Sequence, residues 1–150
     1  MSFNFVYFYS FFLLSCNNVA IKKDDKHINL RYIDSIEFNF KKKYDSGENM
    51  LEDSRKHFLL LDSILKEVEL NLKDCIKNED TSYFRIDFRD WHIKKDSLIK
   101  NEQYIFDQKF KSGEWGSDMY MILYYNGADF IVKRIRFLLK YKEKNCYISN

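Results

Sequence analysis

Phe58, Leu61, Leu65, Val68, Leu72 and Cys75 recur at spacings of three and four. That period puts them on one stripe of an amphipathic helix, and such a stripe must be buried against something. The helix is expected from about Met50 to Lys77. Asn49 stands at its N-cap and Glu52 at the third helical position, a capping-box-like pair. So regular a seam also suits a coiled coil, but it is only about three heptads long. Strand-like segments on both sides make packing on the protein's own sheet the expected use.

Those segments show period two. Ile36, Phe38 and Phe40 alternate with Glu37, Asn39 and Lys41, which predicts a half-buried strand from Ile36 to Tyr44, turned by Asp45–Gly47. Phe84, Ile86 and Phe88 alternate with Arg85, Asp87 and Arg89, and a bulge near Asp90 brings Trp91 and Ile93 into phase. Tyr104, Phe106 and Phe110 suggest a third strand. Met119–Tyr125 is apolar on both phases, as in a central strand, and Asn126-Gly127 follows as a hairpin turn. Ile135, Phe137, Leu139 and Tyr141 then alternate with Arg134, Arg136 and Lys140. Ile131, Ile135, Leu138 and Leu139 also fit a helix, and the Asn-Gly pair decides for strand. The expected fold class is α+β, with one long amphipathic helix packed on an antiparallel sheet of about four to five strands, cystatin-like or roll-like in its element order.

The chain has 150 residues, enough for one domain with a real core. Hydrophobic residues at 45% and charged residues at 32% place it among globular proteins. The absence of Pro and the presence of only 4 Gly argue against long linkers. The 25 basic and 23 acidic residues nearly cancel, so nothing in the charge demands a nucleic acid or an anionic membrane.

Charge is distributed unevenly in one place. No Lys, Arg, Asp or Glu precedes Lys22, and Phe5–Leu14 is apolar except for Ser10. Such a run is too short to cross a bilayer, which needs about 20 residues. It fits the apolar core of a secretory signal. A buried core strand is the alternative, and it would crowd many aromatic side chains at an unanchored end. The run closes on Leu13, Leu14, Ser15 and Cys16. "LLSC" resembles the lipobox of bacterial lipoproteins, although the basic residues usual before the apolar run are absent. The resemblance implies a diacylglyceryl group on the Cys16 thiol, cleavage before Cys16, and often fatty acylation (palmitate-type) of the new amino group. Two or more acyl chains anchor stably where one does not. Residues 1–15 are then a signal peptide, 16–26 a lipid-anchored tether and 27–150 a single domain.

Chemical motifs are sparse. There is no GxSxG, HExxH, P-loop, GxGxxG or CxxC, so neither a cofactor nor a metal is expected. His27, His57 and His92 fall in different elements. His57 adjoins the helix stripe and reads as a partly buried core residue. His92 beside Trp91 is a candidate binding site. "GEWG" (Gly113–Gly116) has the letters of a nucleic-acid-clamping loop, but that loop belongs between helices and this one falls between expected strands. Trp115 at the turn either plugs the core or stands out as a binding anchor. Lys133, Arg134, Arg136 and Lys140, with Arg85 and Arg89, would form a cationic sheet face. Pairing with Asp87 and Asp90 is the favoured alternative. Lipidation of Cys16 leaves Cys75 and Cys146, an even number in an oxidising compartment, hence a possible disulfide. Cys75 on the apolar stripe also suits a free thiol acting as a small hydrophobe.

The expected function is that of a non-enzymatic cell-envelope lipoprotein. Its membrane contact is the lipid on Cys16, and its domain binds another protein as an assembly factor or immunity-type protein does. The alternative is a periplasmic enzyme or small-ligand carrier with a pocket between helix and sheet, near Trp91, His92 and Trp115. Single-stranded nucleic-acid binding through aromatics and Arg is a weaker third, opposed by the near-neutral charge and the export signal.

Overall fold

A computed structural model describes residues 28–76 and 81–146. The segments expected to be signal peptide (residues 1–15) and tether (16–26), with Cys16, lie outside the described residues. Four long helices make up the rest: α1 (Leu30–Asp45), α2 (Met50–Lys73), α3 (Thr81–Lys111) and α4 (Tyr120–Cys146), with a short 3-10 turn at Ser117–Met119 before α4. No strand occurs among the described residues. The fold is all-α, and the α+β expectation is overturned.

Burial shows why the alternation misled. Phe84 and Phe88 are 4% and 7% exposed, whereas Ile86 between them is 51% exposed. Ile135 and Leu139 are buried in the same way around an exposed Phe137. A strand would place all three residues of each set on one face. A helix turns the middle one away by about 200° while bringing i and i+4 together. Phe38, which completed the apparent strand in α1, is likewise exposed. Apolar residues at i, i+2 and i+4 contain the helical i, i+4 pair, and a chain rich in Phe, Tyr and Ile supplies the extra one by composition. Without Pro, nothing breaks the helices internally.

The helix over 50–77 is present and ends at Lys73. Asn49 is not a side-chain cap: its backbone is left-handed at φ 50° and no cap hydrogen bond forms. The capping rule operates instead at α1, where the Asn29 side chain accepts from the Tyr32 amide at 2.9 Å.

The closest pairing is α2 with α4. Leu61, Leu65 and Leu72 from α2 and Ile131, Ile135 and Leu138 from α4 are fully buried. Gly127 permits this approach: a Cβ there would lie 2.7 Å from the Phe58 ring. Asn126-Gly127 is therefore not a hairpin turn but a notch inside α4. Phe58 packs on Tyr124, and Cys75 joins Cys146 at the other end, so α2 and α4 run parallel. α1 and α3 run antiparallel to them, as contacts Glu37–His57, Asp34–Arg136, Asp87–Arg134 and Gln103–Tyr120 require.

On α2, steps of about 100° put Asp53, Lys56 and His57 on one flank and Asp62, Lys66 and Glu69 on the other. The first flank faces α1 and the second faces α3. The result is an up-down-up-down four-helix bundle with α2 and α4 as its short diagonal.

Candidate functional site

Three of the sequence candidates converge on the flank where α3 meets α2 and α4. Trp91 and His92 come from α3 and Arg134 from α4. Arg134 is 6% exposed in its side chain and pairs with Asp87. Its guanidinium lies 5.5, 5.6 and 5.4 Å from the ring centroids of Phe88, Trp91 and Phe137, within cation–π range. Trp91 stacks on Phe130 at 5.2 Å. His92 Nε2 lies 3.0 Å from the Glu69 carboxylate, itself nearly buried.

One turn further along, Lys95 donates to Asp62 at 2.7 Å and Lys66 reaches the same carboxylate at 2.8 Å. Burial opposes the charge on Asp62. Hydrogen bonds and positive charge from Lys66 and Lys95 outweigh it and hold the carboxyl below its usual range. Acids at 62 and 69 on α2 thus meet bases at 95 and 92 on α3, the reversed order that antiparallel helices impose. Asp62 and Glu69 of α2 are paired across to Lys95 and His92 of α3, while Lys66 joins Asp62 from within α2. The arrangement orients α3, and it leaves no group placed as a nucleophile with an adjacent base.

The cationic face does not form. Positions 134 and 136 lie about 200° apart on a helix. Arg134 turns to Asp87, while Arg136 turns to Asp34 of α1 at 2.7 Å. Lys133 pairs with Asp129, and Arg89 with Asp90.

Trp115 sits in the turn from α3 to α4, half-buried beside Phe106, with Lys109 Nζ 5.2 Å from its ring. "GEWG" therefore lies between helices, contrary to the strand expectation. It ends α3: Gly113 at φ +78° lets its own amide reach Phe110 and the Glu114 amide reach Lys109, a Schellman closure. Cys75, two residues past the end of α2, faces Cys146, the last residue of α4; their Cα atoms are 5.8 Å apart and they are joined as a disulfide.

A second concavity lies on the opposite flank, between α1, α2 and α4. It encloses about 380 Å³ and is lined by Glu37, Phe40, Tyr44, Asp45, His57 and Tyr125, among others. His57 is 6% exposed, stacks on Phe40 at 3.9 Å and places Nε2 2.8 Å from Glu37. Sequence reasoning missed this site apart from the burial of His57. Phe40 and Tyr44 stand at i and i+4, a helical signal hidden by reading the segment as a strand. Tyr125 was absorbed into an expected central strand.

No cluster of metal-ligating side chains occurs among the described residues, and none of their helices is long and apolar enough to cross a membrane. No family model, curated protein or solved structure matches the chain.

Proposed function

We propose that the protein is a lipid-anchored component of the bacterial cell envelope whose helical bundle binds another protein, in the manner of an assembly factor or immunity protein. The observation that carries this reading is the Cys75–Cys146 disulfide. Disulfides persist in oxidising compartments outside the cytoplasm, where the lipobox-like "LLSC" would deliver the chain. The anchor at Cys16 and the bundle would then be separated by a short polar tether.

For the partner, the supporting feature is the outer face of α3. Ile86, Ile93 and Tyr104 are all more than half exposed and, at helical steps of about 100°, fall in one row. Apolar rows flanked by charge suit a protein surface better than a soluble metabolite.

The test has two parts. Cells are fed a clickable fatty acid, and wild type should be labelled while Cys16→Ala should not. A photocrosslinking side chain at Ile93 should capture a defined protein that the same group at Leu59 does not. Equal labelling of both chains would remove the anchor. Capture that is the same at both positions would remove the binding face.

A further inference from the structure

We propose that the cleft between α1, α2 and α4 binds a small quaternary ammonium ion on an aromatic wall made by Phe40, Tyr44 and Tyr125. The site is separate from the outer face of α3 and does not depend on it.

The three rings line one cleft and lie close together. Their centroids are 5.6 Å (Phe40–Tyr44), 6.2 Å (Phe40–Tyr125) and 5.5 Å (Tyr44–Tyr125) apart, at interplanar angles of 48°, 40° and 41°. A point over the middle of such a triangle is within about 6 Å of every centroid, the range of cation–π attraction. No pair is stacked face to face, so neighbouring rings do not cover one another. His57 stacks on Phe40 with 1° between the planes and holds it in place.

The charges point the same way. Glu37, Asp45 and Asp129 line the cleft against a single Lys41. Glu37 is held by His57 and Asp129 by Lys133. Asp45 has no ion-pair partner among the described residues, so a carboxylate remains for an incoming cation. An anion would meet negative ring faces and an excess of carboxylates.

The rings also select the type of cation. A primary ammonium carries three N–H donors that need acceptors. A quaternary nitrogen has none and spreads its charge over methyl groups that pack on rings. The volume of about 380 Å³ is near the lower end of ligand cavities, which suits a small ion.

The probes are choline, its neutral carbon isostere 3,3-dimethylbutan-1-ol, methylammonium and glycerophosphocholine. Each is titrated by calorimetry into the full chain in detergent. Choline should bind at least about tenfold tighter than the isostere, and tighter than methylammonium, as a cation–π site requires. Tyr125→Leu should weaken choline by about tenfold and leave the helical circular dichroism unchanged. Asp45→Asn, at an exposed position, should weaken choline and spare the isostere. Glycerophosphocholine distinguishes sources: tighter binding than choline assigns the ion to a lipid head group, and weaker binding to a free quaternary ammonium compound. Equal affinity for choline and the isostere would overturn the proposal by leaving an apolar hole. So would the absence of saturable choline binding.

Discussion

The seam between α2 and α4 and the seam that holds α3 bury side chains of opposite character. In the first, the aliphatic side chains of Leu61, Leu65, Leu72, Ile131, Ile135 and Leu138 are fully buried. In the second, Asp62, Glu69 and Asp87 meet Lys95, His92 and Arg134 among aromatic rings. Apolar burial is non-directional and grows with area, so it stabilises without choosing an angle. A partly buried ion pair contributes little net energy, and its hydrogen bonds are directional. The α2–α4 seam is thus expected to supply most of the stability. The α3 seam is expected to set the rotation and register of α3, and hence which residues it presents outward.

The sharpest way to break the comparison is in the apolar seam. Ile135→Ala should cost about 2–5 kcal/mol, since a fully buried Ile leaves both lost transfer energy and a cavity. Leu65→Ala should fall in the same range. Urea unfolding measures both. A loss well under 1 kcal/mol at either site would mean that this seam is not the main source of stability.

In the polar seam the outcome should depend on what replaces the charge. Arg134→Ala leaves Asp87 without its partner and should cost about 3 kcal/mol, the low end for a broken buried pair, because Asp87 keeps 29% side-chain exposure. Arg134→Met keeps the contact with Phe88, Trp91 and Phe137 and, combined with Asp87→Leu, should cost less than about 1 kcal/mol. If the double substitution were as damaging as Arg134→Ala, the ion pair would be a net source of stability and the two seams would not differ in kind.

Gly127 tests how tightly the apolar seam is closed. Ala is preferred over Gly in a helix by about 1 kcal/mol. Its Cβ would nevertheless meet the Phe58 ring at 2.7 Å, so Gly127→Ala should lose about 1 kcal/mol net as the ring is displaced. In a Phe58→Leu background the same change should become neutral or favourable. A double-mutant cycle reads this coupling directly.

The two seams also differ in how far they were legible. The α2 stripe could be read because aliphatic residues at three and four suit only a helix. In α4 the helical set Ile131, Ile135, Leu138 and Leu139 was visible. It was outweighed by Asn126-Gly127, a local signal that the close approach of Phe58 explains better. α3 was not legible because its buried face mixes Phe84, Phe88 and Trp91 with Asp87 and His92, so no apolar stripe stands out. For the same reason, Trp91 and His92 could be singled out while their partners Glu69 and Arg134 could not be assigned to them. The aromatic cleft needed Tyr125 to meet Phe40 and Tyr44 across two helices, which depends on bundle topology and not on local pattern.

The smallest expected effect concerns Asp62, where the polar seam alone responds to acid. Burial disfavours its charge, but Lys66 and Lys95 more than compensate, so its folded value lies below that of the unfolded chain. The sign follows from linkage. The unfolded carboxyl takes up its proton first, near about pH 4, so the stabilisation is complete above that value. It is lost as pH falls through the lower folded value. Asp62→Asn should therefore flatten part of the fall in urea midpoint below about pH 4 and leave the profile at neutral pH parallel to that of wild type. The size is limited because Lys66 is 65% exposed and its contribution is screened by solvent and salt. Added salt should shrink the difference between the two proteins. A difference that persisted undiminished at high salt would place the Asp62–Lys95 contact in as dry an environment as the α2–α4 seam. The contrast between the two seams would then be one of chemistry but not of solvent access.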